Sequence, residues 1–215
     1  MPSPLDKARQ NPKSNKARIL NAARRLFGEY GFQGTTTRMI AKDVGIDIST
    51  LYYHWGEKAD LYEAVITDLN EGIESQFAII ERRAKGRTLA ERLDIAIEVM
   101  CDYLHETPEI SNLLLLGYFS KSRTEVSLDE KVAGHIANIA IAMGLADDKE
   151  HVSPQAKARI MALWNAVLNF ISGESFFRPI LAVGRSEYLD VVKETLKFIL
   201  IPAFTSRLAG RPETE

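Results

Sequence analysis

Apolar residues recur at three- and four-residue steps from Ile19 almost to the end of this 215-residue chain. Nowhere do β-branched residues alternate with polar ones over five positions. The first pattern is the 3.6-residue period of a helix, and the absence of the second removes the amphipathic strand. The fold class expected is all-α. Ile19, Ala22, Ala23, Leu26, Phe27 and Tyr30 share one helical face that stops at Gly31. A second, short helix opens in the run Thr35-Thr36-Thr37, turns Ile40, Ala41 and Val44 inward and ends at Gly45. A third spans Ile48 to Trp55, before Gly56. A fourth, from Glu57 to about Arg83, would extend roughly 40 Å. Further helical runs are Thr88 to Glu106, Glu109 to Lys121, Leu128 to Gly144, Pro154 to about Phe177, and Ser186 to Leu208 with Pro202 interrupting. Ser153 and Pro154 make a favoured helix start.

Charge is distributed unevenly. Residues 1–60 hold ten Lys/Arg against six Asp/Glu, and the remainder holds seventeen against twenty-three, for a net −2. A basic front suits a polyanionic partner. The single cysteine, Cys101, allows no internal disulfide and fits a reducing, cytoplasmic setting. No apolar run approaches the ~18 to 20 residues that cross a bilayer, so no membrane partner is expected. Met1 to Asn15 lacks the apolar centre of a signal peptide. Residues 1–14 carry Pro2, Pro4 and Pro12 and read as a disordered basic arm; residues 209–215 read as a disordered tail. Lys7, Arg9, Lys13 and Lys16 in and beside the arm are placed either to reach a minor groove or simply to be solvated.

The informative stretch is Thr36 to Lys58. Two helices of about eight residues meet at Val44-Gly45-Ile46-Asp47, the spacing of a helix-turn-helix whose second helix enters a major groove. Ile40, Val44 and Leu51 would hold the pair together. Ile48, Ser49, Thr50, Tyr53 and His54 would face outward, with Tyr52 at the edge. Hydroxyls and aromatics of this kind suit phosphate oxygens and thymine methyls. The same row of aromatics is also compatible with a plain helical core.

These residues resemble the tetracycline-repressor (TetR) family. Ile19-Leu20, Ala22-Ala23, Leu26-Phe27 and Tyr30-Gly31-Phe32 are similar to its first helix. Thr36 to Ala41 and Val44-Gly45-Ile46 are similar to its second helix and turn, and Ser49 to Leu61 to its recognition helix and the entry to the fourth. The resemblance is ungapped over about 45 residues. It implies a helix-turn-helix domain at 15–60 and a helical ligand-binding and dimerisation domain at 61–208. It implies DNA contacts from Thr36, Thr37 and Arg38 to backbone or a flanking base. Ile48, Ser49, Thr50 and Tyr52 would meet base edges or methyls; Tyr53 and His54 would meet phosphates. Lys58 would offer its ammonium to a phosphate. Asp47, acidic in the turn, is expected to cap the third helix, and apolar Ile48 to make methyl contacts.

The resemblance further implies a homodimer on operator DNA, most simply a repressor released by a small-molecule effector. A regulator governed by a protein partner is the alternative. Ala158, Ala162 and Ala166 recur every four residues, and with Leu189, Val192, Leu196 and Ile199 they are the expected dimer seam. The polar groups expected at a ligand pocket are Cys101, His105, His135, Asn138, Asn165 and Asn169. They stand among Met100, Leu104, Leu116, Phe119, Ile139, Trp164 and Leu168. Cys101 and His105 lie one turn apart but have no third ligand near them in sequence, so no metal and no cofactor are expected. No nucleophile elbow, phosphate loop or zinc-protease motif occurs, so no catalytic residue is assigned.

Overall fold

A computed structural model describes residues 3–119 and 126–205, the side chains of 119 and 126–131 excepted. Helix is the only regular structure among them. The elements are α1 (Pro4–Gln10), α2 (Asn15–Gly34), α3 (Thr37–Val44), α4 (Ile48–Trp55), α5 (Lys58–Ala84) and α6 (Leu89–Glu106). They continue with α7 (Pro108–Phe119), α8 (Val126–Ala142), α9 (Pro154–Ser172), α10 (Glu174–Leu181) and α11 (Arg185–Thr205). No helix among the described residues is long and apolar enough to cross a membrane. The expected 209–215 tail lies outside the described residues.

The chain divides into two compact units. One holds the described residues up to Glu74 together with those from Glu109 to the end of α7; the other holds Ser75–Pro108 and the described residues from Val126 onward. The division differs from the boundary expected near residue 60. It falls within α5, and α7 joins the N-terminal unit.

In the first unit the core is built on α2. Ile19, Ala23 and Phe27 are fully buried on its face, as are Ile40 of α3, Leu51 of α4, and Leu61 and Val65 of α5. α7 seats its first turn on this helix: a Cβ on Gly28 would lie 3.2 Å from Glu109 Cβ, so the glycine keeps the approach close. Gly31 leaves helical geometry at φ 69°, ψ 176°, the stop read from the sequence, although one more turn follows to Gly34. The N-terminal arm is the main correction. Residues 4–10 form a capped helix in which Ser3 and Asp6 bond reciprocally and Pro4 occupies the first turn. Leu5 and Ala8 are buried, and Arg9 is bonded to Asp68 and Glu71 of α5.

In the second unit α6 is wrapped by α9 and α11. Leu93, Ile97, Met100, Cys101 and Leu104 of α6 share a core with Ile160, Trp164 and Leu168 of α9 and Tyr188, Val192 and Leu196 of α11. Tyr188 donates its hydroxyl to the Phe170 carbonyl at 2.7 Å, tying α11 to α9. The continuous helix expected from Pro154 to Phe177 is broken at Gly173 (φ −89°, ψ 10°), after which α10 begins. Lys193 and Lys197 of α11 are locked into a row of carboxylates on α6. Lys193 Nζ lies 2.7 Å from Glu98 and 2.6 Å from Asp102, and Lys197 Nζ 2.6 Å from Glu98 and 3.1 Å from Asp94.

Candidate nucleic-acid interface

The turn between α3 and α4 closes by backbone chemistry. Gly45 sits in the left-handed region (φ 74°, ψ 42°), and the N–H of Ile46 reaches the Ala41 carbonyl at 3.0 Å while that of Gly45 reaches Lys42 at 3.2 Å. This pair of bonds is a Schellman termination, which favours glycine because the conformation strains any Cβ. Arg18 of α2 donates to the Val44 carbonyl at 2.5 Å, fastening the turn to the scaffold. Thr36 caps α3 through a bond from Met39 N–H. Asp47 occupies the N-cap of α4, but its carboxylate makes no capping bond, contrary to expectation.

Burial of Leu51 and Trp55 orients α4, and Trp55 Nε1 donates to the Lys16 carbonyl at 3.0 Å. With that face turned in, Ile48, Ser49, Tyr52 and Tyr53 are exposed; Tyr53 is 85% exposed and Tyr52 is 40%. Thr37 and Thr50 are half-buried, Arg38 is exposed, and Thr37 Oγ1 lies 3.5 Å from the Tyr52 hydroxyl. The structure thus gathers the α3 start and the outer face of α4 on one surface. His54 is half-buried, its ring edge-on to Tyr53 at 5.2 Å. Burial, and then the charge of Lys16, lower its pKa.

Lys58 is placed differently from the expectation. Its ammonium donates to the carbonyls of Phe32 at 2.9 Å and Thr35 at 3.1 Å and lies 4.1 Å above the Phe32 ring. It clasps the end of α2. Thr35, expected only as part of the run that opens α3, is fully buried and donates to the carbonyls of Leu26 and Gly31. The Leu26, Phe32 and Thr35 carbonyls in these bonds lie nine or more residues from their donors and come near only in the folded chain.

The residues expected at a ligand pocket are dispersed. Met100, Cys101, Leu104, Trp164 and Leu168 are buried in the second unit; Ile139 and His135 are half-buried, the latter edge-on to Phe77. Burial pushes the Cys101 thiol up to about 12. His105 Nδ1 stands 3.5 Å from Glu174. Leu116 belongs to the other unit, with Cδ1 near Gly31, and the Phe119 side chain lies outside the described residues. Asn138 and Asn169 are exposed. The Asn165 amide donates to Met161 O and that of Asn169 to Asn165 O, each one turn back along α9. The two amides therefore face outward on α9, on the side of exposed Ala158, Met161 and Ala162 and half-buried Ala166, rather than into the interior. Among the described residues no group of three or more His, Cys, Asp or Glu could hold a metal.

The expected seam also divides. Val192 and Leu196 are each 1% exposed and belong to the core of the unit, so they are unavailable to a partner; Leu189 is half-buried and Ile199 exposed. The apolar residues that do lie outside were not all anticipated: Phe198 is 81% exposed, and Phe176 and Ile180 on α10 are each 67%.

Two short helices joined through a left-handed glycine, packed on α2 with a polar and aromatic outer face, define a helix-turn-helix protein. Residues 19–65 match the family model for bacterial regulatory proteins of the tetR family. The HTH-type transcriptional regulator UidR of Escherichia coli (strain K12) is 34% identical over 73 residues, covering 34% of this chain and 37% of that protein. An HTH-type transcriptional regulator of Staphylococcus aureus (strain USA300) is 40% identical over 63 residues, covering 29% and 34%. The match thus spans little more than a third of these relatives' length. Among solved structures, a TetR-like transcriptional regulator from Rhodococcus sp. RHA1 aligns with TM-score 0.63 at 17% identity, over 90% of this chain and 95% of that one. The fatty acid degradation regulator FadR from Bacillus halodurans aligns with TM-score 0.56 at 15% identity, over 86% and 96%. At such identity the likeness is one of fold.

Proposed function

We propose that this protein is a sequence-specific transcriptional regulator that binds operator DNA as a homodimer and is released from it by a small-molecule effector. The observation that carries the reading is the orientation of α4: Leu51 and Trp55 are buried while Ile48, Ser49, Tyr52 and Tyr53 stand free. A helix held from behind with short polar and aromatic groups in front is suited to a major groove. Tyr53 takes a phosphate; Ser49, Thr50 and Ile48 meet base edges and thymine methyls, with Thr36, Thr37 and Arg38 at the flank. The outward stripe of α9, with Phe198 and Ile199 of α11, supports a two-fold partner surface. The effector acts on the second unit, near Met100, Leu104, His105, Trp164 and Leu168. Release requires only that effector and operator prefer different states, a coupling of ~1 to 3 kcal/mol that must act equally in both directions.

The test is selection of bound duplexes from a random-sequence pool, followed by footprinting. The expected product is an approximate palindrome whose half-sites lie roughly 34 to 36 Å apart, one helical turn. Failure to enrich any sequence, or an asymmetric single site, overturns the reading.

A further inference from the structure

α1 and the start of α2 lie outside the matched residues 19–65, yet α1 is fastened to α5 and the start of α2 to the end of α4. α1 is fixed by buried Leu5 and Ala8, and by Arg9, whose Nε and Nη2 reach Asp68 Oδ1 at 2.9 and 2.7 Å and whose Nη1 reaches Glu71 at 2.5 Å. The first turn of α2 is fixed to the end of α4, since Trp55 donates to the Lys16 carbonyl and the Lys16 ammonium lies 5.7 Å above the Trp55 ring. These ties leave two kinds of cation. Arg9 and Arg24 are neutralised by carboxylates of α5. Lys7, exposed on α1, and Lys16 have no carboxylate partner among the described residues.

The unpaired set forms a sequence in space. Lys16 lies above Trp55, and the adjacent His54 touches Tyr53 on the outer face of α4; burial, and then the nearby charge of Lys7, lower the Lys16 pKa. A fold that holds like charges together without a counter-ion favours an anion that relieves them. Duplex DNA presents one negative charge per ~1.7 Å of its axis.

We propose that Lys7 and Lys16 form a second phosphate-contact ridge beside the recognition helix, making α1 a docked DNA-clamping helix rather than a loose arm. This inference rests on the DNA-binding reading above. It assigns the electrostatic share of affinity to the α1–α2 ridge, while Lys58 serves the clasp on α2. Phosphate contacts carry no sequence information, so the ridge acts on any duplex.

The experiment uses the full chain and a random-sequence duplex, with affinity measured by fluorescence anisotropy between ~50 and ~200 mM salt. Each lost phosphate contact removes about 0.9 from the slope of log K against log salt. Lys7→Ala with Lys16→Ala therefore flattens the slope by about 1.8 per bound protomer. Across that salt range the double variant weakens roughly tenfold less than the parent. Lys7→Arg with Lys16→Arg retains the slope. Lys149→Ala, which removes an exposed charge from the other unit, leaves it unchanged. Helical content by circular dichroism checks that the double variant folds, and Lys7→Ala alone, at an exposed position, flattens the slope by about half as much. A parental slope in Lys7→Ala and in the folded double variant overturns the ridge while leaving DNA binding by α4 intact. Absence of salt-dependent binding by the parent overturns the DNA-binding reading and the ridge together.

Discussion

The ammonium of Lys58 donates to the carbonyl oxygen of Phe32 at 2.9 Å while resting 4.1 Å above that residue's ring. One side chain thereby satisfies orphan carbonyls beyond the Gly31 kink and covers an aromatic face, tying the start of α5 to the end of α2. Charged hydrogen bonds of this kind contribute roughly 1.5 to 3 kcal/mol, and a part-buried cation–π contact adds ~1. Lys58→Ala is therefore expected to lower stability by about 1 to 3 kcal/mol, read as a drop in Tm. The salt slope of DNA binding should change by less than the ~0.9 of a lost phosphate contact. A slope flattened by the full amount, with Tm unchanged, would return Lys58 to the phosphate contacts.

Neighbouring residues of α4 are expected to separate stability from binding. Leu51 is fully buried, and Leu51→Ala should cost ~2 to 5 kcal/mol by leaving a cavity. Tyr53 is 85% exposed, so Tyr53→Phe should leave Tm unaltered and weaken binding about equally for every sequence. Thr50→Ala, by contrast, should change discrimination among operator variants by ~1 to 3 kcal/mol if its hydroxyl meets a base. Competition binding against a panel of single-base operator variants distinguishes the outcomes.

The helix-turn-helix was legible because its determinants are local. Gly45 marks a left-handed turn, Thr36 a cap, and the spacing of Ile40, Val44 and Leu51 the buried face. The dimer seam and the pocket were legible only in part, because an apolar stripe does not say which neighbour covers it. Val192 and Leu196 read like partner contacts but are buried in the unit's own core, while Asn165 and Asn169 read like ligand groups but bond their own helix. α1 was hidden by Pro2, Pro4 and Pro12 in and around it; the capping pair Ser3 and Asp6 was the available signal. The break at Gly173 was hidden because Phe176 and Phe177 continue the apolar run.

A pair of arginine substitutions tests the seam. Ala162 is exposed on α9, so Ala162→Arg should yield folded monomers by sedimentation, with a parental helical content. Val192 is 1% exposed, and Val192→Arg places an unpaired charge in the core, which should unfold the chain. A folded dimer in Ala162→Arg removes α9 from the seam.

The ladder between α6 and α11 sets a pH window. Glu98 lies against the ammonium groups of Lys193 and Lys197; burial opposes its charge, but the two lysines outweigh it and hold the carboxyl below its usual range. The lysines are raised in turn. At Lys193 burial works against the charge, and the bonds to Asp102 and Glu98 override it; at Lys197 the bond to Glu98 leads. A lowered acid stabilises the fold above its unfolded value of 4.5, and that contribution is lost as pH falls through the folded value. A raised lysine stabilises below its unfolded value of 10.5 and loses its contribution as pH climbs through the folded one. Between the two unfolded values the ladder is fully formed. Glu98→Gln keeps the shape but leaves both lysines short of a counter-charge, and should cost about 1 to 3 kcal/mol there. Thermal melts of parent and variant should differ by a constant Tm gap from mildly acidic to mildly alkaline pH. The gap should close in acid, once the parent's own carboxyl is protonated. A gap that persists unchanged below the folded pKa of Glu98 assigns the loss to packing and refutes the electrostatic account of the ladder.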